Sequence, residues 1–91
     1  MKINIHVVIS GRVQGVWFRA STKQKADQLG LKGWVKNTSD GKVEAVFEGE
    51  ESIVKEMIKW CHQGPPLGYV QNVEIKNQTV TNGYDDFSVK Y

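Results

Sequence analysis

The sequence predicts an α+β fold, a two-layer α/β sandwich in which two helices cover one face of a mostly antiparallel sheet. Three observations carry this expectation. Apolar residues follow a period of two in some stretches and helical spacing in others, in the order β-α-β-β-α-β-β. Glycines and turn dipeptides fall where one stretch gives way to the next. Finally, 91 residues suffice for one small core and would bury roughly two thirds of the extended chain's surface. The order is the split βαβ arrangement with a fifth strand added at the C-terminus, and residues 1–91 are expected to form a single domain.

The first strand is read from Ile3, Ile5, Val7 and Ile9, which alternate with Asn4, His6, Val8 and Ser10. A loop, Arg12 to Phe18, breaks the alternation. Phe18, Thr22, Ala26 and Leu29 then recur at helical spacing, and Gly30 supplies the stop, so the first helix runs from Phe18 to Leu29. Gly33 to Thr38 reads as the second strand. Asp40-Gly41 reads as a tight hairpin turn into the third, because both residue types accept positive φ. There Val43, Ala45 and Phe47 face one way, while Lys42, Glu44 and Glu48 face the other and are expected to be wet; Gly49 ends the run. Glu50 and Glu51 open a second helix whose stripe is Ile53, Val54, Met57, Ile58 and Cys61. Lys59 and His62 lie near its end, and Gly64-Pro65-Pro66 stops it. Val70 to Val80, with Val73 and Ile75 in alternation, makes a fourth strand. After Asn82-Gly83, Phe87, Val89 and Tyr91 make a fifth.

This order has a consequence for function. The first helix must cross from strand one to a parallel strand two, while the short turn makes strand three antiparallel and free to lie between them. The Arg12–Phe18 loop and Asn37 then leave the same edge of the sheet, where ligands of α/β folds tend to bind.

Composition narrows the classes. Hydrophobic residues make up 40% and charged residues 24%, and no apolar run approaches the roughly 20 residues that span a bilayer, so a soluble globular protein with no membrane partner is expected. The N-terminus lacks the basic, apolar and cleavage regions of a secretory signal, which points to the cytoplasm. Cys61 stands alone and, with only His6 and His62, offers no zinc spacing, so neither a disulfide nor a metal is expected. The net charge of +2 hides an asymmetry: residues 1–39 carry seven Lys/Arg against one acid, and residues 40–91 five lysines against nine acids. Gathered on one side, the basic half would draw anions; interleaved in space, the halves would cancel.

The loop Gly11-Arg12-Val13-Gln14-Gly15-Val16-Trp17-Phe18-Arg19 joins a strand to a helix N-terminus. Glycine lets such a backbone turn its N–H groups inward, and the helix end adds partial positive charge, which together could cradle an anion. Arg19 would sit at the rim, its fork able to hold two oxygens of one phosphate. By itself the pattern is unspecific: Gly11 and Gly15 fit neither the dinucleotide fingerprint nor the phosphate loop that ends in Gly-Lys-Ser/Thr, and an arginine opening a helix is commonly just solvated.

Taken together, Gly11-Arg-Val-Gln-Gly-Val-Trp-Phe-Arg19, Gly33-Trp-Val-Lys-Asn37-Thr-Ser-Asp-Gly41, Glu48-Gly49 and Phe87-Ser-Val-Lys-Tyr91 resemble the acylphosphatase family over essentially the whole chain. The resemblance implies a ferredoxin-like sandwich and metal-independent hydrolysis of acyl phosphates to a carboxylate and inorganic phosphate. It implies that Arg19 binds phosphate with the loop's N–H groups, those of Val13, Gln14, Gly15, Val16, Trp17 and Phe18, and that Asn37 orients the attacking water. The chemistry agrees. An ordinary phosphate ester expels an alkoxide whose conjugate acid has a pKa of roughly 15 to 16, near that of bulk water, and so wants an acid catalyst. An acyl phosphate expels a carboxylate of pKa about 4 and needs no proton donor. Holding the phosphoryl group, neutralising its charge and aiming a water are then enough.

Other readings fit less well. A thiol-phosphate mechanism wants an Arg a short loop after its Cys, yet Cys61 lies on the apolar stripe and Pro65-Pro66 follow. Asp85-Asp86 lack a glycine-rich phosphate loop and read as solvated turn residues, while His6 and His62 read as structural or exposed. Trp34 and Trp60 read as core or sheet-covering side chains. Trp17 either flanks the pocket, favouring apolar or aromatic acyl groups, or merely packs. An RNA-binding sandwich would need a glycine-aromatic-valine pattern, whereas strand three reads Lys42-Val-Glu-Ala-Val-Phe47, so no nucleic acid is expected. A domain that keeps the fold without turnover, acting in complex with a larger enzyme, is the remaining alternative. No cofactor is implied, monomer is the default, and several acyl phosphates would satisfy the same cradle.

Overall fold

A computed structural model describes residues 1–90; Tyr91, expected at the end of the last strand, lies outside the described residues. The elements are β1 (Lys2–Arg12), α1 (Phe18–Leu29), β2 (Lys32–Asn37), β3 (Val43–Glu50), α2 (Glu51–Gln63), β4 (Tyr69–Gln78) and β5 (Phe87–Val89). Their order and the limits of α1 are those the periodicity predicts. The first strand runs on to Arg12, however, so the following loop starts at Val13.

Five strands form one sheet in the order β4-β1-β3-β2-β5. β3 is antiparallel to both β1 and β2, which makes β1 and β2 parallel, and β5 adds parallel to β2 at the edge. The C-terminal ends of β1, β2 and β5 therefore lie along one edge. Alternation then selects the core: Ile5, Val7 and Ile9 of β1, Val35 of β2, Val43, Ala45 and Phe47 of β3 and Phe87 of β5 are buried with Phe18 and Ala26 of α1 and Val54, Met57 and Cys61 of α2. Each large member contributes about 1.5–3 kcal/mol by leaving water. Phe47 and Phe87 stack with centroids 5.5 Å apart, which anchors the short β5. α1 ends where Gly30 takes φ 70° and the N–H groups of Gly30 and Leu31 reach back to Asp27 and Ala26, satisfying two end carbonyls.

Two expectations are corrected. The outer face of β3 is not wet at Glu48, which is 2% exposed. Its carboxylate accepts from Asn4 Nδ2 at 2.8 Å and from the backbone N–H groups of Thr81 and Asn82 at 2.9 and 3.0 Å. The β4–β5 connection thus folds over that end of the sheet, and a carboxylate with several donors tolerates burial where a bare one would not. Burial, the largest single influence, would raise the Glu48 pKa; the hydrogen bonds from Asn4, Thr81 and Asn82 together outweigh it and hold the group below its ordinary value.

The second correction concerns Asp40-Gly41. Only Gly41 takes positive φ, at 88°, and the connection is a five-residue loop, Thr38 to Lys42, rather than a tight two-residue turn. Thr38 explains the difference: its N–H donates to the Lys42 carbonyl at 2.9 Å, its hydroxyl accepts from the Lys42 N–H at 3.0 Å, and the same hydroxyl bonds Asp40. That bond lowers the Asp40 pKa. Smaller shifts are that Gly49 does not end β3 and that Glu50 closes the strand and pairs with the N-terminal amine at 2.9 Å instead of sitting inside α2.

Candidate active site

The site is built where β1 runs out. A register shift between Ser10 and Gly11 interrupts the pairing with β4, which resumes with Gly11 opposite Val70 and Arg12 opposite Tyr69, and Gly11, at φ 126°, stands where a Cβ would meet the Tyr69 carbonyl at 2.1 Å. The chain then turns inward. Gly15 (φ 74°) and Trp17 (φ 66°) are left-handed while Val16 between them is not, the alternation that curls successive N–H groups toward one point. Among the described residues, the N–H groups of Gly15, Val16, Trp17 and Phe18 donate to no protein acceptor. α1 follows directly, with no side-chain cap bond and no acid in its first turn. A helix start lacking both keeps its positive end available to an anion.

An open cavity of about 380 Å³ lies against this loop, lined by Val13, Gly15, Trp17, Phe18, Arg19, Ala20, Asn37 and Val89. Arg19, half-buried in the first turn of α1, and Asn37, the last residue of β2, thus face one space although they are far apart in sequence. Parallel β1 and β2 are the reason, since their C-terminal ends emerge side by side. Asn37 Oδ1 is buried and has no hydrogen-bond partner among the described residues, an open acceptor at the cavity wall.

Of the residues expected at an anion cradle, Val13, Gly15, Trp17, Phe18 and Arg19 line the cavity, whereas Gln14 and Val16 do not. Val16 packs against the core. Gln14 turns the other way, its Nε2 donating to the carbonyls of Thr38 at 2.8 Å and Lys42 at 2.9 Å. It ties the loop that carries the cradle to the loop that follows Asn37. Sequence reasoning missed this side-chain role and also missed Val89. Val89 reaches the cavity because β5 runs parallel to β2 with Val35 opposite Val89, an orientation no motif announces.

The remaining candidates lie elsewhere. Cys61 is buried in the core, and burial pushes its thiol up to about 12, so it is no nucleophile. His6 Nε2 meets Glu44 Oε2 at 2.6 Å on the outer sheet face. Trp34 lies on that face beneath Lys36 and Lys90, 5.5 and 4.7 Å from its ring, and Trp60 meets Phe18 edge-on. Asp85 and Asp86 are exposed, the Asp86 carbonyl accepting from Gly33. Lys36 of the basic half pairs with Glu44 of the acidic half at 3.7 Å, so the two halves interleave there. Among the described residues no three His, Cys, Asp or Glu side chains converge as metal ligands, and no helix is long and apolar enough to cross a membrane.

Known proteins resemble this chain in sequence and in fold. The acylphosphatase family pattern matches residues 5–89. An acylphosphatase of Trichormus variabilis is 54% identical over 88 residues, covering 97% of this chain and 86% of its own. Among solved structures, an acylphosphatase from Coxiella burnetii superposes with a TM-score of 0.93 at 45% identity, over 98% of this chain and 93% of that one. The acylphosphatase from Bacillus subtilis superposes with a TM-score of 0.94 at 34% identity, over 98% and 99%. With the pattern and these relatives spanning nearly its whole length, the chain belongs to the acylphosphatase family.

Proposed function

We propose that the protein hydrolyses the carboxyl–phosphate anhydride of acyl phosphates, giving a carboxylate and inorganic phosphate. The observation that carries this reading is the meeting of Arg19, Asn37 and a curled backbone with undonated N–H groups at one cavity. The N–H groups of the Val13–Phe18 loop and the Arg19 guanidinium hold the phosphoryl oxygens and neutralise their charge, with the α1 N-terminus adding to the field. Asn37 Oδ1 accepts a hydrogen bond from water and aims its oxygen at phosphorus, in line with the scissile bond. As the water oxygen bonds to phosphorus, the bond from phosphorus to the acyl oxygen breaks and its electron pair leaves on the carboxylate. An amide is a poor base, so the water's proton passes to a non-bridging phosphate oxygen.

Because the departing group is already a stable anion, the reaction takes place without a metal or cofactor. The polypeptide is taken to act as a cytoplasmic monomer on a small molecule, with no nucleic-acid or membrane partner. The test is phosphate release from benzoyl phosphate with a chelator present. Turnover that persists supports the reading, and a rate restored only by added metal overturns its metal-free part.

A further inference from the structure

Resting on the activity proposed above, we infer that Trp17 is the acyl-recognition residue of this site, an indole platform that selects acyl phosphates with a flat apolar acyl group over those with a small or anionic one. Trp17 breaks two local rules at once. It is a bulky residue at φ 66°, ψ 21°, a region such side chains seldom occupy, and it is the residue before a helix where Ser, Thr, Asp or Asn would cap the first turn. It is also 74% exposed, so packing does not compensate for either departure. Strain at a residue that lines a cavity is a mark of function, because the surrounding fold has to hold it there.

The rest of the cavity shows what the indole is for. Val13 and Phe18 are buried, their surfaces already used by the core, and Val89 is half-buried. Trp17 is thus the large apolar surface left open beside the phosphate cradle, and an aromatic acyl group extending from the phosphoryl oxygen would stack on it. Among the described residues, Arg19 is the sole charged side chain in the lining. With Arg19 engaged by the phosphoryl group, an acyl chain bearing its own carboxylate finds no cation, and desolvating that carboxylate against an indole is unfavourable.

The test compares kcat/KM for benzoyl, acetyl and succinyl phosphate in the parent protein, Trp17→Ala and Trp17→Phe. In the parent, benzoyl phosphate is expected to lead. Trp17→Ala should lower the benzoyl-to-acetyl ratio at least about tenfold, the scale of discrimination one lost apolar contact supplies, and Trp17→Phe, which keeps a flat ring, should recover most of it. An unchanged ratio in Trp17→Ala, equal losses on all substrates, or no recovery in Trp17→Phe would overturn the assignment while leaving the hydrolysis itself standing. A parent protein that releases phosphate from none of the three overturns the functional reading as well. Trp17→Gly removes the left-handed strain and serves as the folded variant should alanine destabilise the loop; the same fall in the ratio is expected.

Discussion

The side-chain amide of Gln14 donates to the Thr38 carbonyl at 2.8 Å, so the curled loop before α1 is tied to the loop immediately after Asn37. A second bond to the Lys42 carbonyl, at 2.9 Å, makes the tie bidentate. Two segments from separate parts of the chain that line one cavity are thereby held in one frame, which would matter for the proposed catalysis because a displacement of about 1 Å can cost roughly 100-fold in rate.

Gln14→Ala should accordingly lower kcat more than it raises KM, since the anion still meets Arg19 while the water is poorly aimed. It should also cost about 0.5–1.5 kcal/mol of stability, the loss of hydrogen bonds to two carbonyls that keep the N–H groups of Gly41 and Thr38 as donors. Steady-state kinetics and urea unfolding measure both. A variant with normal kcat would dissociate the tie from catalysis.

Arg19 and Asn37 should divide binding from water placement. Arg19→Ala is expected to abolish turnover and inhibition by inorganic phosphate together, and Arg19→Lys to recover little, because an ammonium lacks the two-pronged geometry. Asn37→Ala should fold, still be inhibited by phosphate and lose about 100- to 1,000-fold in kcat, the scale seen when one preorganised polar group is removed. Near-parental kcat in Asn37→Ala would falsify the water-positioning role.

Glu48 makes acid stability predictable in sign. Its folded-state pKa lies below the unfolded value, so its contribution is fully present above the unfolded value near 4.5 and is lost as pH falls through the folded one. Urea midpoints should therefore drop below about pH 4.5 in the parent. Glu48→Gln should be about 1–3 kcal/mol less stable near neutrality and show a shallower acid limb. An identical acid limb in both proteins would assign the pH dependence to other groups.

Cys61 should be inert. With its thiol pushed up to about 12, iodoacetamide should leave the native protein unmodified and fully active, and labelling should appear only on unfolding. Cys61→Ala is expected to keep kcat and cost about 1–2 kcal/mol from the cavity it leaves. Inactivation of the folded protein by alkylation, read by mass spectrometry alongside activity, would count against this.

Much of the molecule was legible in one dimension because its signals are local. A period of two in Ile5, Val7 and Ile9, helical spacing from Phe18 to Leu29 and the glycine after it depend only on neighbouring residues, and they suffice for the element order. The glycine-rich loop and its arginine are equally local. Glu48, Gln14 and Val89 are different. A carboxylate on the outer face of a strand reads as wet until the Thr81–Asn82 backbone folds across it. A glutamine in a loop reads as a backbone element until the Thr38 and Lys42 carbonyls arrive beneath it. Val89 reads only as a member of the last strand until parallel pairing carries it to the cavity edge. Sequence alone thus determined the elements and the chemical groups, through periodicity and steric preference acting over a few residues. Only the tertiary structure decided which groups meet, because burial, hydrogen-bond satisfaction and strand direction are properties of segments far apart along the chain.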